Sequence, residues 1–232
     1  MSKILLEIVA LSAQDCVASE KGGADRIELC AAIEIGGVTP PIDVLIEARQ
    51  RVTIPVMAMV RPRGGDFCFS DEEFAQMLRD AKLLLQQGVA GIIFGILRPD
   101  AKVDTERCRE MLALAGGKQA VFHRAFDVVA DPFQAFDQLI DMGFTRVLTS
   151  GQQKTALEGA DLIRELIARS RGRIEVLPGG GVRTHNVRQL VKMTNCRQVH
   201  RTAFRSDASA SGGVDPRIVA TMRDMLTDIA SG

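Results

Sequence analysis

The run VFHRAFDV, residues 121–128, places His123, Arg124 and Asp127 among apolar, β-prone neighbours. A charge taken into a low-dielectric interior is heavily penalised unless it is paired or meets water or a ligand. Imidazole and carboxylate side chains exchange protons and a guanidinium holds an anion, so the run reads as part of a site. Alternation puts Val121, His123, Ala125 and Asp127 on one face, which aims His123 and Asp127 inward and leaves Arg124 outward or at a bend. Glu7, Glu28, Arg61 and His200 sit in other β-prone runs and extend the set. Glu7 or Glu28 would pair with Arg61 or Arg124. The plainer alternative is that these groups only neutralise one another.

Two loops offer anion contacts. In LPGGGVRTHNVRQLV (177–191), Gly179, Gly180 and Gly181 leave backbone N–H groups free to approach a phosphate or carboxylate, ahead of a helix capped by Thr184. The plainer alternative there is a tight turn. In VRPRGGDFCFSDEEF (60–74), Arg61 and Arg63 straddle Pro62, which aims two guanidinium forks, although Arg63 also reads as a solvated loop residue. The loop AAIEIGGVTPP (31–41) would form an ordered wall beside them. No β-prone run carries a lysine for Schiff-base chemistry, and His123, His185 and His200 are not at zinc-ligand spacing. A carboxylate with His123 and His200 is the remaining three-ligand arrangement. For a soft ion such as Cu(I), Cys30 near a strand end and Cys68 in the next loop are the best pair, against the commoner role of cysteine as inert packing.

The elements that must position these residues alternate regularly. Short aliphatic runs at 4–10, 26–31, 56–62, 91–97, 120–127, 146–151, 174–181 and 198–204 are separated by segments of helical period. The segment 70–88 opens on Ser70 with acids in its first turn and stops at Gly88; 131–144 has Asp131 as cap, Pro132 at the first position and Gly143 as stop. Strands joined by single helices run parallel, and eight such units predict a single-domain (β/α)8 TIM-type barrel over 1–232. The first turn, VALSAQDCVAS, lacks the glycine fingerprint of a doubly wound dinucleotide fold. The stretch RSDASASGGVD (205–215) reads as a soft loop or a lid over the mouth.

The 29 basic and 29 acidic residues balance, so no whole-molecule field draws in nucleic acid. No run is long enough to span a membrane and the start does not resemble a signal peptide. Five scattered cysteines without Cys-x-x-Cys suit a reducing compartment, which points to the cytoplasm.

The motifs GADRIELCAA, GGVTP, IPVMAMVRPRGGDFCFSDEEF, FHRAFDVVADP, RVLTSGQQKTALEG and PGGGVR, in this order from about residue 5 to 204, resemble the CutC family of copper homeostasis proteins. The resemblance implies a TIM-type barrel, a cytoplasmic homo-oligomer and copper as a ligand. It also implies that Glu7, Glu28, Arg61, His123, Arg124 and His200 line the mouth. Two functions follow as expectations: Cu(I) handling through Cys30 and Cys68, or an enzyme acting on a small anionic metabolite, phosphorylated or not, through the Glu/Arg/His set. In the second, His123 and Glu28 exchange protons while Glu7 and His200 orient them.

Overall fold

The computed structural model describes residues 3–206 and 209–231. Eight strands form one parallel sheet: β1 (Leu5–Ala10), β2 (Arg26–Leu29), β3 (Val56–Met59), β4 (Gly91–Phe94), β5 (Gln119–Phe122), β6 (Arg146–Thr149), β7 (Glu175–Pro178) and β8 (Gln198–Arg201). Between them run α1 (Ala13–Lys21), α2 (Ile42–Arg51), α3 (Asp71–Gln86), α4 (Thr105–Ala115), α5 (Pro132–Met142), α6 (Ala160–Ser170) and α7 (Val187–Thr194). A hairpin of β9 (Phe204–Ser206) and β10 (Ser209–Val214) leads into α8 (Pro216–Ser231). The strand order β7-β6-β5-β4-β3-β2-β1-β8 is that of a barrel rolled in sequence, and it excludes the doubly wound alternative. Among the described residues no helix is long and apolar enough to cross a membrane.

Local chemistry explains the helix ends. Ser70 and Glu73 form a capping box on α3, and Glu73 is also gripped by Arg63 Nε at 2.6 Å, so the loop after β3 is moored to the helix that follows. Asp131 accepts from the Phe133 and Gln134 amides, Pro132 opens α5 and Gly143 closes it in the left-handed conformation. The expected cap at Thr184 is not formed. Helix α7 starts later, at Val187, because Asn186 accepts from the Arg183 amide and donates to the Gly181 carbonyl, holding 181–186 as a turn. Of the expected lid at 205–215, residues 205–206 and 209–214 lie in the hairpin, and residues 207–208 lie outside the described residues.

Every strand falls within one residue of its expected start, but most end two to four residues sooner than their apolar runs. The largest correction concerns 124–128, which form a 3-10 turn and not strand. His123 Nδ1 accepts the Ala125 N–H at 3.2 Å and turns the chain out of the sheet. Asp127 therefore does not share an inward face with His123. Its carboxylate accepts from Thr149 Oγ1 at 2.5 Å and from the Ser150 amide at 2.9 Å, fixing the loop after β6 to the loop after β5.

The barrel interior is polar at its base. Side chains of paired inward positions, such as Glu7 with Arg26 and with His200, stack along the barrel axis. Glu7 is bonded to Arg26 Nε through one oxygen and to His200 Nδ1, at 2.8 Å, through the other. Arg26 continues to Gln198 Oε1 at 3.0 Å, which Arg146 Nε also reaches at 3.1 Å, and Arg146 pairs with Glu175 at the opposite end of the barrel from the mouth. Gln198 Nε2 donates to the Val176 carbonyl at 3.4 Å, a side-chain bond across the β7–β8 seam where the backbone ladder is missing. These bonds make burial of four ionisable groups, Glu7, Arg26, Arg146 and His200, tolerable, since each charge keeps a partner. Removing one partner should be costly: Arg26→Met is expected to lower unfolding free energy in urea by about 3 kcal/mol or more, and Glu7→Gln on top of it to recover a large part.

Candidate active site

At the mouth lies a cavity of about 420 Å³ whose lining includes Glu28, Arg61, His123, Arg124 and His200, together with Gly180 and Gly181. These expected site residues come from β2, β8 and the loops after β3, β5 and β7, brought together by barrel closure. Glu7 lies one layer beneath. It touches the cavity only through His200. Gly179 is packed under Leu148 and His200, and Asp127 supports the wall by holding the loop after β6.

Arg61 occupies its position because two loops converge on it. Its backbone exchanges hydrogen bonds with Thr39, and its guanidinium donates to the carbonyls of Ile35 and Gly37 at 3.2 Å and of Gly65 at 2.7 Å. The expected pairing with Glu7 or Glu28 is not made; Glu7 is taken by Arg26, a partner that sequence reasoning passed over although it stands two residues before Glu28 on the same strand face. Among the described residues no carboxylate forms a salt bridge with Arg61, so it brings an uncompensated buried cation to the cavity. Phe67 packs beneath it, 4.8 Å from the guanidinium carbon and 5.0 Å from the His123 ring. Arg63, the other half of the expected clamp, is turned away to Glu73 and the Cys68 carbonyl.

His123 has one defined tautomer. Its Nδ1 accepts from Ala125, so in the neutral ring the proton is on Nε2, a buried donor without a partner. Burial, reinforced by the Arg61 charge, pushes its pKa down to about 3, which keeps the ring neutral at physiological pH. The ring has room because of Gly95, a second residue that sequence reasoning missed: a Cβ there would sit 2.5 Å from Nδ1. The neutral ring thus turns an Nε2 donor toward the cavity, and its lowered pKa sets it apart from Glu28, with which it was expected to share proton exchange.

Glu28 is the carboxyl whose pKa lies near neutrality. Burial raises its pKa to about 7, with the Glu7 charge acting in the same direction and His200 and Arg26 against it. Its Oε2 is buried and has no partner. For Glu7, burial acts upward but is outweighed by the charge of Arg26 and the bond to His200, which hold the carboxyl well below the usual range. His200 is held above its ordinary value: burial opposes this, but Glu28 and Glu7 favour the imidazolium.

Glu7, Glu28 and His200 present ligand atoms within 4.8 Å of one another, the spacing of a metal site. The donors do not fit copper(I). They are oxygen and imidazole where Cu(I) prefers sulfur, and both Glu7 oxygens are engaged by Arg26 and by the His200 ring. Cys30 and Cys68 do not line the cavity. Burial raises both thiol pKa values, and Cys30 faces Gly37 and Met59.

Arg124, expected outward or at a bend and by resemblance at the mouth, sits at the bend: the 3-10 turn brings it to the cavity, with Nε on Asp127 at 2.7 Å and Nη2 on Ser150 Oγ at 3.0 Å. The Glu28 value carries a pH signature. A carboxyl raised from 4.5 unfolded to about 7 folded keeps its proton in the native state across that interval, so the native state binds more protons and stability falls as pH rises. Wild-type stability relative to Glu28→Gln should therefore decline from about pH 4.5 and level off above about pH 7. Urea unfolding at a series of pH values checks this, and a parallel pair of curves would contradict it.

Comparison with known proteins adds the lineage. The CutC family model matches residues 4–205. A family protein CutC of Treponema denticola is 45% identical over 218 residues, covering 94% of this chain and 89% of its own. The human protein named copper homeostasis protein cutC homolog is 44% identical over 199 residues, 86% of this chain and 73% of that one. The solved CutC structure from Streptococcus agalactiae superposes with a TM-score of 0.81 at 34% identity, covering 85% of this chain and 97% of the other. A thiamine phosphate pyrophosphorylase from Pyrococcus furiosus, 14% identical with a TM-score of 0.64 and covering 97% of this chain and 96% of that one, shares the fold alone. With its motifs, its barrel and these relatives in agreement, the chain belongs to the CutC family.

Proposed function

We propose that this chain is a single-domain enzyme that moves protons on a small anionic metabolite bound in the barrel mouth. One observation carries the reading: Glu28 Oε2, His123 Nε2 and Arg61 Nε are all buried without partners, and all three residues line the same cavity. Buried polar atoms are nearly always satisfied, so three such atoms around one space mark what a ligand would complete. The roles divide by protonation state. Glu28, with a pKa near neutrality, gives or takes the proton; neutral His123 donates from Nε2 to an oxygen on which charge develops. His200, held by Glu7, stands beside Glu28 as a second proton carrier. Arg61 supplies positive charge, and Arg124 with the amides of Gly180 and Gly181 receives the anionic group.

Incubating the protein with a metabolite extract and following it by mass spectrometry tests this. Wild type is expected to convert an anionic compound, and Glu28→Gln to do so about 100-fold more slowly or worse. Extracts unchanged by wild type would end the enzymatic reading.

The names of the human and mouse relatives carry copper homeostasis, and Cu(I) binding is the alternative reading. On this chain it would fall to Cys30 and Cys68, the thiols that follow β2 and β3. A Cu(I) competition titration separates the readings. Copper handling expects loss of tight binding in Cys30→Ser or Cys68→Ser with Glu28→Gln unaffected, whereas the enzyme reading expects all three variants to match wild type.

A further inference from the structure

The cavity has two unlike walls. On one side Arg124 and Arg183 reach it from the loops after β5 and β7. Gly180 lies against Arg124, where a Cβ would stand 3.5 Å from the guanidinium carbon. Its φ of +97° belongs to the left-handed region that favours glycine, so this corner stays open for whatever the guanidinium binds. The other wall comes from the loops after β2 and β3 and is apolar at its lip, through Ile33, Ile35 and Phe67, with the buried Arg61 guanidinium packed on Phe67. In the strand order of the barrel, β3 and β7 stand half a circuit apart, so the two walls oppose each other across the mouth.

Ile33 and Phe67 pack against the core, but the lip of the cavity carries aliphatic side chains that do not. Ile35 is 50% exposed and Val128, on the turn after β5, 55%, yet both line the cavity. Ile35 is held there by its own backbone, whose carbonyl accepts from Arg61. A single exposed aliphatic residue is ordinary, but here two share the lip of one cavity, Ile35 across from the cationic corner and Val128 beside it on the turn that carries Arg124. The space itself, about 420 Å³, is of the size that takes a whole small molecule and is far more than an inorganic anion fills.

We infer that the ligand is itself two-part: an anionic head seated at Arg124, Arg183 and Gly180, joined to an apolar or aromatic body that lies against Ile35, Phe67 and Val128. This deepens the proposed function and rests on it. Glu28, His123 and His200 then face the segment that joins the two parts, which places proton transfer next to the anionic group and not at the far end of the body.

Isothermal titration of the full chain with inorganic phosphate and with phenyl phosphate tests the inference. Phenyl phosphate is expected to bind wild type about tenfold more tightly than phosphate, since the ring removes apolar surface from water. Ile35→Ser and Val128→Ser, both cut from exposed side chains, should each reduce that advantage about threefold while leaving phosphate affinity unchanged. Equal affinity for the two probes, or an advantage that survives in both variants, overturns the two-part ligand and leaves the anion corner standing. Failure of both probes to bind overturns the anion corner as well.

Discussion

The Glu7–Arg26–His200 cluster is the interaction on which the rest of the structure depends. Parallel barrels fill their interiors with side chains from alternate strands, and apolar residues do this at no electrostatic cost. Here the layers at the base and middle are ionic, and an unpaired charge among them would disfavour folding by several kcal/mol, on the order of the whole stability of a domain. Pairing solves this only if β1, β2 and β8 are in register, because Glu7 must meet Arg26 on one side and His200 on the other. Gln198 and Arg146 then carry the network to Glu175 and across the β7–β8 seam. The polar base is thus a condition of closure and also the electrostatic floor of the cavity.

That floor decides what the groups above it can do. A permanently ionised Glu7 repels charge on Glu28, and burial does the same, so Glu28 is held near neutrality and can act in either direction. The same carboxylate draws His200 toward its protonated form. His123 is shifted the other way: burial, with the Arg61 charge beside it and no carboxylate bond to oppose them, keeps the ring neutral. Titratable side chains around one space are therefore shifted apart, Glu28 and His200 upward and His123 downward.

Membership of the CutC family brings a name tied to copper, but apart from the Met59 thioether the donors of the mouth are oxygen and nitrogen. Cys30 and Cys68 are not among its lining residues, and burial raises both thiol pKa values. Hard carboxylates already committed to Arg26 and His200 are poor ligands for a monovalent soft ion. Positive charge at Arg61, Arg124 and Arg183 repels cations and attracts anions, which is why the family name and the cavity favour different ligands.

Much of this architecture was legible in the chain. Eight aliphatic runs separated by helical segments permit few topologies, since parallel strands need crossovers, and caps such as Ser70 and Asp131 act through neighbours a few residues away. The mouth residues Glu28, Arg61, His123 and His200 were legible too, because ionisable side chains in apolar runs are costly and hence informative. Who pairs with whom was not. Arg26 and Glu7 are 19 residues apart and Glu7 and His200 193, and only closure of the barrel selects these partners over Arg61 and Arg124. The end of β5 was equally hidden: alternation extends a strand through Asp127, but the Ala125 amide bonds to His123 and the Asp127 carboxylate finds Thr149 and Ser150, 22 and 23 residues on. Local pattern determined the elements and the residue types at the mouth, because propensity and periodicity act over a few residues; their partners, tautomers and charge states were decided by tertiary structure, because burial and Coulomb interactions depend on distance in space.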